Sequence, residues 1–146
     1  MTTIRQIVVA ELPQGPLTEA HFRLEETERP APKEDEVLLR VILMSIDAAN
    51  RSWMQGATYR AAVNAGDAMP TYAICEVLES LSPRLKPGDI VAAEGVWADT
   101  FVCPARKAFK LPDIRPLTYL LSVYGIAGKT AFHGLVGVGR PMAGET

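Results

Sequence analysis

The sequence predicts a mainly β chain of the α+β class, with its helices gathered at the C-terminal end. Three observations carry this. Apolar runs rich in β-branched residues recur at 4–10, 36–46, 72–80 and 90–104. Proline and glycine clusters separate these runs. After Pro112 the pattern lengthens and favours helix.

Residues 4–10 (IRQIVVA) suit a strand. Pro13, Gly15 and Pro16 then supply turn chemistry. In residues 21–28, Phe22 and Leu24 alternate with His21 and Arg23, as in a half-buried strand. Residues 29–36 form a polar, proline-marked loop. Residues 36–46 (EVLLRVILMSI) carry the strongest strand signal, almost wholly apolar, so this strand belongs in the centre of a sheet.

Asp47 is placed to cap a short helix over 48–54, its carboxylate accepting from N–H groups two or three residues on. Residues 55–70, with Gly56, Asn64, Gly66 and Pro70, read as an irregular excursion. Residues 72–80 form another strand. Residues 82–89 hold a P-G-D turn, residues 90–104 read as two short strands around Gly95, and residues 107–112 form a last strand ended by Pro112. Residues 115–128 and 129–139 read as helices. Ala131, Phe132, Leu135, Val136 and Val138 are spaced to share one buried face. Gly137, Gly139 and Pro141 then stop the second helix. The organisation expected is a β domain over 1–113 and a helical segment over 114–146.

Composition narrows the function. The 146 residues are 48% hydrophobic and 22% charged, with net charge −2. No block of like charge argues for nucleic acid or membrane as a partner. Cys75 and Cys103 belong to no CxxC or HExxH pattern, so no zinc ligand set is visible. Their separation leaves a disulfide open, but buried free thiols suit a chain with no secretion signal. No 18-residue apolar stretch exists, and the chain reads as soluble and cytoplasmic.

Residues 125–130 (GIAGKT) imitate a phosphate-binding loop. The motif G-x-x-x-x-G-K-[ST] would put its first glycine at 123, where Val123 stands. A β-branched residue cannot take the positive φ such a turn needs. The run 134–139 (GLVGVG) follows a helix rather than a strand, so it is no dinucleotide motif. Neither His21 nor His133 has a Ser, Cys or Asp partner at a triad spacing.

Four stretches point further. VILMSIDAANRSWM (41–54) matches a long strand followed by S-[LIV]-D-P-x-x-R-x-x-M. LKPGDIVAAEGVWADTFV (85–102) carries a G-D-x-V element followed by tryptophan. AFKLP (108–112) matches a lysine-leucine-proline exit. GIAGKTAFHGLVGVGRPMAGET (125–146) matches G-x-x-G-x-T-A-[YF]-x-G-L ending in G-E-T. In this order they resemble the N-terminal half of the medium-chain dehydrogenase/reductase superfamily, in its zinc-independent branch of alkenal, enone and prostaglandin reductases.

That resemblance implies a GroES-like, partly open β-barrel over 1–113, followed by the leading helices of a dinucleotide-binding domain that the chain stops short of. It implies a wall of the substrate cleft at Ser45, Asp47, Asn50, Tyr72 and Trp97. It implies cofactor contacts at Arg51, Gly128 and Thr130, with Gly128 allowing a close chain approach before the helix. NADP is the implied cofactor and no metal is implied. Each residue has a plainer reading beside this one. Asp47 and Thr130 are natural helix caps, Arg51 a surface arginine, and Tyr72 and Trp97 packing residues. Glu76 on its alternating strand faces solvent. Ala48 and Ala49 depart from the proline and aromatic of the family pattern, and residues 69–80 depart from its glycine-rich M-x-G-G-x-x-G-x-V.

The function implied is hydride transfer from NADPH to the β-carbon of an activated alkene or to a carbonyl compound, by an enzyme of which this chain is an inactive piece. The alternative is a stand-alone binding module without catalysis. Its helices over 115–139 would expose apolar surface, and it would form a homodimer or otherwise self-associate.

Overall fold

The computed structural model describes residues 3–145. In chain order the elements are β1 (Thr3–Val9), β2 (Phe22–Glu28), β3 (Glu36–Met44), α1 (Ala48–Trp53), β4 (Pro70–Ser80), β5 (Ile90–Val96), β6 (Thr100–Pro104), β7 (Phe109–Lys110) and α2 (Ile126–Phe132). A π-helical stretch, His133–Gly139, continues α2. The strands form two open antiparallel sheets: the β1–β2 hairpin, and a five-stranded sheet ordered β6-β3-β4-β5-β7. The architecture is mainly β with few short helices, and its sheets stay open rather than closing into a barrel.

The chain divides into two compact units, Met1–Leu111 and Pro112–Thr146, each described by itself. In the first, alternation decides what is buried. Leu39 on β3, Cys75 and Val77 on β4, Val91 on β5 and Phe101 on β6 point to one face and form the main core. Each such side chain contributes about 1.5–3 kcal/mol relative to exposure. Gly95 serves this core by having no side chain. A Cβ there would lie 2.3 Å from the Phe101 ring, which occupies that space. A second cluster gathers Val9, Trp53, Met54, Val63 and Met69, with Phe22, Ala49 and Trp97 packed against it.

Several expectations shift. β4 begins at Pro70, two residues early, so Thr71 joins the sheet. The break expected at Gly95 falls at residues 97–99, because Gly95 is the seat of Phe101 and stays within β5. The strand expected over 107–112 is a 3-10 turn at Ala105–Lys107 followed by the two residues of β7.

The helical unit departs further. Residues 115–128 hold a 3-10 turn, Leu117–Leu120, and only the start of α2. The shared face of Ala131, Phe132, Leu135, Val136 and Val138 is exposed, not buried; Phe132 is 61% and Val138 83% exposed. A unit this short has too little chain to cover a helix face of its own. Gly137 lies inside the π-helical stretch, which ends after Gly139 with Arg140 in the left-handed region. Thr146, the last residue of the G-E-T element, lies outside the described residues.

Candidate functional site

The site grows from the place where β3 leaves its sheet. The last β3–β4 rung pairs Met44 with Ala73. One residue on, the Ser45 N–H donates to the Tyr72 carbonyl at 2.9 Å. The Ser45 carbonyl accepts from the Thr71 hydroxyl at 2.7 Å. The chain then turns into α1, and Asp47 caps it as the sequence suggests. Its Oδ1 accepts from the Ala49 N–H at 2.8 Å, and its Oδ2 accepts from the Ser45 hydroxyl at 3.1 Å.

Asn50 closes the cap. Its Oδ1 accepts from the Asp47 N–H at 2.9 Å, and its Nδ2 donates to the Pro70 carbonyl at 3.0 Å. Three consecutive β4 residues therefore hold the turn. Pro70 receives Asn50, Thr71 reaches Ser45 through its hydroxyl, and Tyr72 takes the Ser45 N–H. Four of the five expected cleft residues, Ser45, Asp47, Asn50 and Tyr72, meet in this network.

The four differ in what they leave free. Asn50 is buried, and both ends of its amide are spent on the fold. Asp47 is exposed, with both carboxylate oxygens engaged. Tyr72 is 44% exposed. Its cross-strand partner on β5 is Glu94, so Ser45, just past the end of β3, forms a row with Tyr72 and Glu94. Partial burial, and then the Glu94 charge, push the Tyr72 phenol above its ordinary range, so it is a neutral donor at physiological pH. Farther along this face Arg40 pairs with Glu76, so Glu76 is engaged and only half-buried.

Trp97 stands apart from the row. It sits in the β5–β6 turn, its ring 5.5 Å from that of Phe22. Its N–H donates to the Met69 carbonyl at 2.7 Å, and its carbonyl accepts from the Ile7 N–H at 2.7 Å. Its indole Nε1 is buried without a hydrogen-bond partner. Trp97 and Met44 help line a hollow of about 190 Å³, rimmed by the Arg5–Asp99 ion pair. Ser45, Asp47, Asn50 and Tyr72 do not line it. A larger hollow of about 260 Å³ lies near Asp35, Ser82 and Arg106, away from all the candidates.

Of the expected cofactor residues, Arg51 is half-buried and donates from Nη2 to the Gly15 carbonyl at 2.8 Å. Gly128 and Thr130 both lie inside α2. The N-cap of α2 is Gly125, so Thr130 caps nothing and is exposed on the helix. The close approach at Gly128 comes within the helix's first turn, where a Cβ would fall 1.9 Å from the Val123 carbonyl oxygen. No residue over 123–130 takes positive φ, so the loop has no phosphate-cradling shape. Among the described residues, no three His, Cys, Asp or Glu side chains gather as a metal site, and no helix is long and apolar enough to cross a membrane.

Sequence reasoning passed over Thr71 and Glu94. A polar residue where an apolar strand begins was the available signal for Thr71. Glu94 carried none, because its cross-strand partner follows from register.

Comparison with known proteins gives this geometry a setting. Residues 5–111 match the family described as the N-terminal domain of oxidoreductase. The chain is 34% identical over 144 residues to the NADPH-dependent curcumin reductase of Escherichia coli (strain K12), covering 97% of this chain and 42% of that protein. It is 30% identical over 136 residues to prostaglandin reductase 1 of Oryctolagus cuniculus, covering 90% of this chain and 37% of that protein. Among solved structures, CurA from Vibrio vulnificus in complex with NADPH superposes with a TM-score of 0.85 at 30% identity, over 97% of this chain and 42% of that one. The chain thus spans well under half the length of these relatives.

Proposed function

This chain belongs to the family of oxidoreductase N-terminal domains, and from that premise we propose that it forms the substrate-side wall of an NADPH-dependent reductase of enones and alkenals. The observation that carries the reading is its likeness, over 97% of its length, to CurA in complex with NADPH, together with its likeness to the NADPH-dependent curcumin reductase.

Arg51 and Thr130 are the residues proposed to hold the cofactor. Arg51, in the first unit, spends one of its five donors on Gly15 and keeps the others for an anionic group; Thr130, in the second unit, presents an exposed hydroxyl. NADPH, when bound, supplies the hydride that the β-carbon of the substrate accepts. The alkene electron pair then moves toward the carbonyl oxygen, and the α-carbon takes a proton from water. On this reading the Tyr72 phenol donates a hydrogen bond to that oxygen as its charge develops. Ser45, Asp47 and Asn50 keep the Tyr72 strand and α1 in register, and Trp97 offers an apolar wall. Two buried free thiols suit the proposed cytoplasmic location.

Reading the source gene beyond codon 146 and assaying the complete product tests this. The expected result is NADPH consumption with α,β-unsaturated aldehydes or ketones, and a product saturated at the alkene. Failure to consume NADPH across a panel of both would sink the reading.

One observation favours the second reading, a stand-alone binding module. Ile126, Phe132, Leu135 and Val138 are each more than 60% exposed, so the chain alone would self-associate or form a homodimer. A clean monomer by light scattering counts against it.

A further inference from the structure

Thr71 is 1% exposed at the end of the β3–β4 ladder. It shares a strand face with Ala73 and Cys75, which belong to the main core. A hydroxyl buried there costs free energy unless it is bonded. Valine has nearly the same shape and suits a strand at least as well. What the hydroxyl adds is the 2.7 Å bond to the Ser45 carbonyl, with a longer approach of 3.2 Å to the Tyr72 carbonyl. That bond lies one step past the last backbone rung, where the carbonyl has left the sheet.

We propose that Thr71 is a positioning residue: its hydroxyl pins Ser45 to β4 and so fixes the Ser45–Tyr72–Glu94 row that presents the Tyr72 phenol. The proposal deepens the functional reading above and rests on it only for the role of that phenol. Without the hydroxyl, the Ser45 carbonyl loses its partner and the rung Ser45 N–H to Tyr72 carbonyl frays. Tyr72, already 44% exposed, then opens further to water. The charged groups near it are Glu94 on β5 and Asp47, bonded to Ser45; the Arg40–Glu76 pair lies farther along the face.

The test compares Thr71→Val and Thr71→Ser in the 146-residue chain by spectrophotometric titration of tyrosine, with Tyr72→Phe as the blank that assigns the Tyr72 signal. Thr71→Ser is expected to titrate like the parent. Thr71→Val is expected to move Tyr72 down toward the ordinary value of about 10. A folded Thr71→Val that titrates like the parent overturns the proposal. If Thr71→Val does not fold, Thr71→Ala takes its place with amide hydrogen exchange as the readout. Ser45 is expected to exchange at least about tenfold faster in Thr71→Ala than in Thr71→Ser, and equal rates overturn the proposal. Neither measurement uses reductase activity. A failed activity assay alongside a shifted titration therefore removes the functional reading and leaves Thr71 as a positioning residue.

Discussion

The side-chain amide of Asn50 bridges two elements: it donates to the Pro70 carbonyl at 3.0 Å and accepts from the Asp47 N–H at 2.9 Å. The first bond ties α1 to β4, and the second closes the cap of α1. Asn50→Ala removes both and leaves a buried carbonyl without its donor. A buried group left unsatisfied costs about 1–3 kcal/mol. Asn50→Asp keeps the acceptor for Asp47 but brings a carboxylate against the Pro70 carbonyl. Urea unfolding should show Asn50→Ala destabilised by about 2 kcal/mol and Asn50→Asp by at least as much. Parent-like midpoints for both would mean the bridge carries no stability.

Gly128 offers a test in which the usual sign reverses. Replacing a helix-interior glycine with alanine ordinarily stabilises by about 1 kcal/mol. Here the new Cβ would fall 1.9 Å from the Val123 carbonyl oxygen, and backbone cannot yield as a flexible side chain does. Gly128→Ala should therefore lose amide protection over Ile126–Phe132. Gly134→Ala, which meets nothing within 4 Å, should not. Equal protection in the two variants would show that the tight approach is absent in solution.

These two residues also mark how much was legible in the sequence. The long strands and the Asp47 cap were, because apolar alternation and an aspartate before a helix are local signals. The joining of the Ser45–Asp47–Asn50 turn to β4 beside Tyr72 was legible only as a family resemblance, since the bonds to β4 cross about twenty to twenty-seven residues of chain. Thr71 escaped notice because its role depends on a carbonyl 26 positions away. Gly95 misled for a physical reason. A glycine in a strand ordinarily suggests a break, but this one makes room for Phe101. The face of Phe132, Leu135 and Val138 misled because periodicity tells which side chains share a face and says nothing about what covers it.

Cys75 and Cys103 are buried and free, and burial pushes their thiols up to about 12 and about 11. Both are neutral at pH 7, so a thiolate-specific reagent should label neither until denaturant opens the core. The folded values lie above the ordinary thiol value of about 8.5. Their contribution is therefore complete below that pH and is lost as pH rises through the folded values. Stability should fall in alkali, and a Cys75→Ala, Cys103→Ala pair should flatten that fall. Rapid labelling of the native chain at pH 7 would contradict the burial of both.

Asp89 gives the complementary behaviour in acid. Its Oδ1 accepts from Lys110 Nζ at 2.6 Å, and its Oδ2 from the Lys86 N–H at 3.0 Å, bracing the turn before β5 against β7. The Lys110 bond first, then the Lys86 N–H, hold the carboxyl below the usual carboxylate range. A folded value below the unfolded one contributes stability that is present above the unfolded value of about 3.9 and is lost as pH falls through the folded one. Asp89→Asn should therefore be less stable than the parent at pH 7. The gap should close as both are taken into acid below pH of about 4. Lys110→Met should reproduce part of the loss, because the Lys86 N–H remains bonded. Denaturant midpoints measured across this range decide the matter: a gap that stays constant with pH would mean that the charge of Asp89 contributes nothing, and that its shape alone supports the turn.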